Sequence, residues 1–363
     1  MGIEVKINSD FREQEYACLS EEEIMEGIKR AKNKLGSKLL LLGHHYQHDS
    51  VIQFADLTGD SFLLARRAAE CKEALYIIFL GVNFMAETAD IVTGPEQKVM
   101  IPEPDAGCVM ADMASVKQVR DCWREVNKYY PGQIVPITYV NSSSEVKAFC
   151  GENRGATCTS SSAEAVFRWA LKQGGRILFM PDEHLGRNTG LKLGISPEEM
   201  AVWDRHRGVL TGSDNPRLIL WNGYCPVHQE FSPERVREIR DEHPGVKVIV
   251  HPECPCQTVA ESDESGSTEY IIECVRNSPP GSLWAVGTEV NLVQRLAGEC
   301  RDRTVFSLDQ RISPCRDMMK INNAKLLCCL DNLLKGKVKN RVKVDPEIAG
   351  WAKVALQRML SIG

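Results

Sequence analysis

The chain has 363 residues, 43% hydrophobic and 26% charged, and 44 basic against 49 acidic side chains leave a formal net charge of -5. That is ordinary globular usage with room for two or three domains, and charge spread along the chain without a basic stripe disfavours nucleic acid as a partner. No apolar run approaches a membrane span, and the start MGIEVKINSD has neither a signal-peptide core nor a myristoylation pattern, so the expected setting is the cytoplasm, with no membrane contact.

In chain order, one succession of features occurs three times and each copy ends at a cysteine. The first copy opens at Leu19-Ser20-Glu21-Glu22-Glu23-Ile24, a capping box with a hydrophobic staple. The apolar run Lys38 to His44 follows, then Gly59-Asp60-Ser61 leading into the helical pattern FLLARRAAE, the runs Leu75 to Leu80 and Val99 to Pro102, and Cys108. The second copy runs from Ser115-Val116 through Ile134 to Tyr139, Thr159-Ser160-Ser161-Ser162 before AEAVFRWALK, Arg176 to Met180, Leu218 to Trp221, and Cys225. The third starts at Ser232-Pro233-Glu234, with proline at the first helical position. It continues through Val246 to His251, Gly266-Ser267-Thr268 before EYIIECVRN, Leu283 to Val286, Thr304 to Ser307, and Cys315.

Short runs that are apolar on both faces suit buried parallel strands, and strands alternating with helices imply α/β sheets covered on both sides. The expectation is three similar parallel-sheet αβα domains at 1–112, 113–230 and 231–318, related by pseudo-threefold symmetry with the active site at their junction. The helical patterns of 319–363 are expected to pack back on the first repeat, because their apolar faces need a partner. From strand end to cysteine, Tyr46 to Cys108 and His251 to Cys315 span 62 and 64 residues, but Asn141 to Cys225 spans 84. The middle repeat therefore carries an insertion, expected at about 185–210 and including SPEEMAVWDRHRG, with a smaller enlargement at Cys150 to Gly155.

Fourteen cysteines without a secretion signal are not expected to be seven disulfides, because cytosolic thiols are kept reduced. Most fall in helical patterns and read as core. Cys108, Cys225 and Cys315 differ: each lies in a loop beyond the carboxyl end of a strand, where open α/β sheets bind ligands. Cys254 and Cys256 are rivals for a metal role, but they belong to one repeat only. Three thiolates with no matched fourth group favour iron-sulfur chemistry over structural zinc, and a 4Fe-4S cube on three cysteines leaves one iron open as a Lewis acid.

The motifs His44-His45-Tyr46-Gln47, Gly59-Asp60-Ser61, Tyr139-Val140-Asn141, Cys158-Thr159-Ser160-Ser161, Gly223 to His228, His251-Pro252-Glu253-Cys254, Gly266-Ser267-Thr268 and Gly287-Thr288-Glu289 occur in one order. In that order and near that spacing the chain resembles the quinolinate synthases, over about residues 20 to 335. The resemblance implies a 4Fe-4S cluster on Cys108, Cys225 and Cys315. It also implies condensation of iminoaspartate with dihydroxyacetone phosphate to quinolinate, phosphate and water, feeding NAD synthesis. Those two molecules are the implied partners, with transient contact to L-aspartate oxidase.

Both substrates are small anions, so hydroxyls, imidazoles and helix N-termini suit them better than fixed positive charge. Ser61, Ser160 or Ser161, and Ser267 with Thr268 are expected to bind substrate, with plain helix capping as the competing reading of each serine. His44, Tyr46, Tyr139, Asn141, His251 and Glu253 end the first strand of their repeats. The resemblance puts them around the open iron, with Tyr46 and Glu253 moving protons. On first principles Glu253 is the better base, because burial can lift its pKa toward neutrality while the positive cluster environment opposes the rise. Tyr139 and Asn141 orient substrate, His44 binds it, and His251 holds the phosphate or a developing enolate. The competing readings are a hydro-lyase of the aconitase type and a non-enzymatic cluster-based redox sensor.

Overall fold

The computed structural model describes residue 16 and residues 18–362. By internal contacts the chain forms two compact units, one of residues 1–108 and 314–346 and the other of 109–313 and 347–363. The described residues form three sheets, each built on the strand order 2-1-3-4.

The first unit opens with α1 (Glu21–Leu35), where Ser20 Oγ accepts the Glu23 amide at 3.2 Å and the Ser20 amide donates to Glu23 Oε2 at 2.8 Å. This capping box satisfies donors that a helix start otherwise leaves orphaned. β1 (Leu39–His44), α2 (Asp49–Ile52), β2 (Leu57–Gly59), α3 (Ser61–Glu70), β3 (Tyr76–Leu80), α4 (Asn83–Val92) and β4 (Lys98–Met100) follow, and the strands are parallel in the order β2-β1-β3-β4. Leu39 to Leu42 and Ile77 to Leu80 are buried on both strand faces, as helices covering each side of a sheet require.

The second unit repeats this order twice. Its first copy is α5 (Val109–Asp112), α6 (Val116–Tyr129), β5 (Ile134–Tyr139), α7 (Ser144–Glu152), β6 (Ala156–Cys158), α8 (Ala163–Gly174), β7 (Arg176–Met180), α9 (Glu183–Lys192), β8 (Met200–Asp204), β9 (Val209–Gly212) and β10 (Leu218–Trp221). The next is α10 (Pro226–Gln229), α11 (Pro233–Glu242), β11 (Lys247–Val250), α12 (Cys256–Glu261), β12 (Glu264–Ser265), α13 (Thr268–Asn277), β13 (Leu283–Gly287), α14 (Val290–Glu299) and β14 (Thr304–Ser307). The sheets read β6-β5-β7-β10-β8-β9 and β12-β11-β13-β14. The chain ends with α15 (Arg316–Met319), α16 (Asn323–Leu334) and α17 (Pro346–Ile362).

The insertion in the middle repeat begins later than expected. Residues 183–192 form α9, a ten-residue helix like α4 and α14 in the other repeats. The added chain supplies β8, parallel to β10, and β9, antiparallel to β8, which lengthen the sheet by two strands. The hairpin turns where Asp204 Oδ1 accepts the His206 and Arg207 amides and Gly208 takes a φ of +66°. The smaller enlargement lengthens α7 to nine residues, against four in α2 and six in α12.

The C-terminal helices do not both pack on the first repeat. α16 does, with Leu327 against Gly27 of α1 and the Tyr16 hydroxyl donating to Asp331 Oδ2 at 3.0 Å. α17 instead joins the core of the middle repeat, where Ala355 packs with Val146, Phe149 and Cys150. The Thr157 hydroxyl donates to the Ala355 carbonyl at 3.3 Å, and Arg358 donates to the Gly155 carbonyl. The reason lies at Gly151: a Cβ there would stand 2.0 Å from the Trp351 carbonyl oxygen, so the bare glycine admits the helix backbone. Periodicity marks the apolar face of α17 but not the small residue that receives it.

Candidate active site

The first strands of the repeats end in equivalent turns. In the first unit His44 closes β1, and its Nδ1 accepts the Tyr46 amide at 3.1 Å. In the second unit His251 follows β11, and its Nδ1 accepts the Glu253 amide at 3.3 Å. An imidazole that accepts at Nδ1 carries its proton on Nε2 in the neutral ring, so each turn presents one donor from a buried histidine. Burial pushes the His251 imidazole down to about 3, with the His228 ring adding to the shift against the pull of Glu253, so the ring is neutral at physiological pH. In the middle repeat Tyr139 ends β5, two residues before Asn141. There the Ser142 hydroxyl donates to the Tyr139 carbonyl at 2.8 Å, the Thr138 hydroxyl donates to Ser142 Oγ at 2.9 Å, and the buried Lys147 ammonium donates to the Ser142 carbonyl.

Within the second unit these turns meet at Glu253, which is 3% exposed. Its Oε2 accepts from His228 Nδ1 at 2.9 Å, and Tyr139 also hydrogen-bonds the carboxylate. A carboxylate only accepts, so Nδ1 of His228 bears the proton, and its Nε2 lies 3.1 Å from the Thr288 hydroxyl. The His228 and His251 rings stack with centroids 4.7 Å apart. Burial works to raise the Glu253 pKa, but the His251 and His228 rings and the hydrogen bonds from His228 and Tyr139 outweigh it, holding the carboxyl below its ordinary range. Burial is therefore outweighed and Glu253 is kept ionised. Asp182, the N-cap of α9, is the opposite case. Burial and then the charge of Glu253 push it well above the usual carboxylate range, although its Oδ1 accepts the Leu185 amide at 2.6 Å. Two neighbouring carboxyls are thus shifted in opposite directions, a pattern typical of catalytic centres.

The serine-bearing turns divide into caps and non-caps. In α3 the cap is Asp60, whose Oδ1 accepts the Phe62 and Leu63 amides at 3.0 and 2.8 Å, so Ser61 is the buried first helical residue and not the cap. In α13 Ser267 is the cap, accepting the Tyr270 amide at 3.3 Å, and Thr268 is the first helical residue. Strand register pairs His44 with Gly59, Tyr139 with Cys158 and Val250 with Ser265, so His251 falls opposite Gly266. Two residues further along, the equivalent positions are Ser61, Ser160 and Thr268. Ser160 is half-buried, whereas Ser161 is exposed and lies 2.8 Å from the Thr159 hydroxyl.

No disulfide joins any of the fourteen cysteines, all of which are among the described residues. Cys108 immediately precedes α5, and Cys225 and Cys315 are the N-caps of α10 and α15, so each occupies the same place after the last shared strand of its repeat. All three are half-buried. By contrast, burial raises the thiols of Cys122, Cys150, Cys158, Cys254 and Cys329, which disfavours the thiolate that binds metal. Cys256 is half-buried, with its thiol 3.3 Å from Gln257 Oε1. Ligand atoms of Cys225, His228 and Glu253 lie within 4.8 Å of one another, yet both ring nitrogens of His228 already have partners. That triad is thus a hydrogen-bonded support beside Cys225 and not a three-donor metal site.

Sequence reasoning named Tyr139, His251 and Glu253, which the second unit brings together, and His44 with Tyr46, whose rings meet edge-on at 4.9 Å in the first. It passed over Asp182, Asn188 and Thr288 as site residues. Asp182 reads as an ordinary N-cap and is one, so no local signal distinguished it.

A family described as "Quinolinate synthetase A protein" matches residues 26–361. Quinolinate synthase of Geobacillus thermodenitrificans is 48% identical over 352 residues, 96% of each chain. That of Bacillus subtilis is 46% identical over 361 residues, covering 99% of this chain and 98% of the relative, and that of Streptomyces coelicolor 48% over 351 residues, covering 94% and 89%.

Proposed function

The chain belongs to the quinolinate synthase family, and on that premise we propose that it condenses iminoaspartate with dihydroxyacetone phosphate to quinolinate, phosphate and water for NAD synthesis. We propose further that Cys108, Cys225 and Cys315 hold a 4Fe-4S cluster. The observation that carries this reading is the threefold placement of a half-buried thiol before a short helix, while the fully buried thiols are disfavoured as thiolates. A cube takes one ligand per iron, so three cysteines leave an iron for substrate. When bound, such a cluster supplies a Lewis acid that polarises a substrate oxygen or nitrogen.

The protein's own groups do the rest. His44 and His251 offer Nε2–H donors, and Ser61, Ser160 or Ser161, Ser267 and Thr268 offer hydroxyls. Together they hold carboxylate and phosphate without adding fixed charge. The register favours Ser160 over Ser161. Tyr139 and Asn141 orient the substrates. Glu253, ionised and aimed by His228 and Tyr139, takes a proton, and Tyr46 moves the second. A carboxylate held at low pKa is in the right state for a base but has little driving force, so it suits a carbon acid already activated beside an imine or carbonyl.

No helix among the described residues is long and apolar enough to cross a membrane. In this reading the protein is cytoplasmic and makes transient contact with L-aspartate oxidase. The test is anaerobic purification followed by iron and sulfide analysis and a quinolinate assay with both substrates. About four irons per chain and quinolinate formation are expected. A fully loaded protein that forms no quinolinate but dehydrates hydroxy acids would be a hydro-lyase of the aconitase type.

A further inference from the structure

A side chain of the middle repeat grips the backbone of the turn that carries Glu253. Asn188, on α9, is 3% exposed, and its Nδ2 donates to the carbonyl of Pro252 at 2.8 Å and to that of Cys254 at 2.9 Å. These two carbonyls flank Glu253, so one amide bridges both sides of the residue. The turn's other internal ties are the Cys254 amide to the His251 carbonyl at 3.0 Å and the Glu253 amide to His251 Nδ1 at 3.3 Å. Asn188 is the sixth residue of α9, and the sixth residues of the equivalent helices are Thr88 in α4 and Arg295 in α14. Thr88 spends its hydroxyl on the Phe84 carbonyl of its own helix, at 2.7 Å. Nothing in the repeated fold therefore requires an amide at this position; the third repeat's turn does.

We propose that Asn188 is a positioning residue, which clamps the Pro252 to Cys254 turn and so fixes the Glu253 carboxylate between His228 and Tyr139. The inference rests on the reading of Glu253 as the base. Without the amide, two buried carbonyls lose their donor and the turn relaxes to find others. A shift of about 1 Å in a catalytic group costs up to roughly a hundredfold in rate.

The experiment compares N188L, which keeps the volume but removes both donors, with N188Q, which restores a donor on a longer arm. V119A serves as a control that loosens the core of the middle repeat far from the turn. Iron content, melting temperature, kcat and KM are measured anaerobically on each, with amide exchange of residues 251–254. N188L should keep its iron, lose about tenfold or more in kcat with KM within about twofold, and exchange faster at Glu253 and Cys254. N188Q should recover part of kcat without gaining melting temperature, and V119A should melt lower at wild-type kcat. Should N188L not fold, a wild-type kcat and unchanged exchange in N188A, which also removes the donor, would be the refuting result. Wild-type kcat in a folded N188L, or a loss matched by V119A, overturns the inference. If E253Q itself turns over normally, the reading of Glu253 fails, whatever Asn188 does.

Discussion

Acidification should destabilise the second unit through His251, at a pH above the range in which Glu253 titrates. The imidazole moves from 6.5 in the unfolded chain to about 3 in the fold. A histidine whose pKa is depressed by folding gives full stability above 6.5 and loses it as the pH falls toward 3, because the unfolded chain binds the proton first. The loss is roughly 2 kcal/mol at pH 5 and on the order of 4 kcal/mol at pH 3. Glu253 is depressed below 4.5, so its contribution is intact above that pH and does not enter the window. The informative comparison is therefore wild type against His251→Asn, which keeps an acceptor for the Glu253 amide and cannot charge. All six tryptophans, at 123, 169, 203, 221, 284 and 351, lie in the second unit, so tryptophan fluorescence in urea follows that unit alone. Between pH 7.5 and 5 the wild type should lose about 2 kcal/mol more than the variant. Parallel curves for the two proteins would refute the assignment of His251 as a buried neutral base.

Serine at Cys108, Cys225 or Cys315 should remove iron, visible absorbance and activity together, while Cys71→Ser keeps all three; retention of a full cluster in Cys225→Ser, measured by iron and sulfide content, would break the ligand set. Glu253→Gln should keep its iron and lose on the order of a hundredfold or more in turnover, the usual scale for a general base; near-normal turnover at confirmed cluster content would hand the proton to another group. Gly151→Ala should lower stability by about 1–3 kcal/mol, since its Cβ meets the backbone oxygen of Trp351 at 2.0 Å, and an unchanged urea midpoint by fluorescence would show that α17 yields without cost.

What the sequence by itself determined was whatever local order and repetition encode. The three capped helix starts at Ser20, Ser115 and Ser232, the buried first, third and fourth strands, and the equivalence of the three cysteines were all legible, because caps and apolar runs act within a few residues. The edge strands β2, β6 and β12 were not, being only two or three residues long, too short to show a pattern. The exchange of caps at the serine-bearing turns was likewise hidden, since Asp60 and Ser267 are equally good caps and only the ladder register separates them from Ser61 and Thr268. Protonation was decided largely by tertiary structure. Burial alone predicts a raised Glu253, yet the His251 ring two residues before it, then the His228 ring and hydrogen bond from 25 residues earlier and Tyr139 from another repeat, reverse the shift. Asp182, without such donors on both oxygens, follows the burial rule. A carboxyl's charge depends on which distant groups the fold turns toward it, and no window along the chain contains that information.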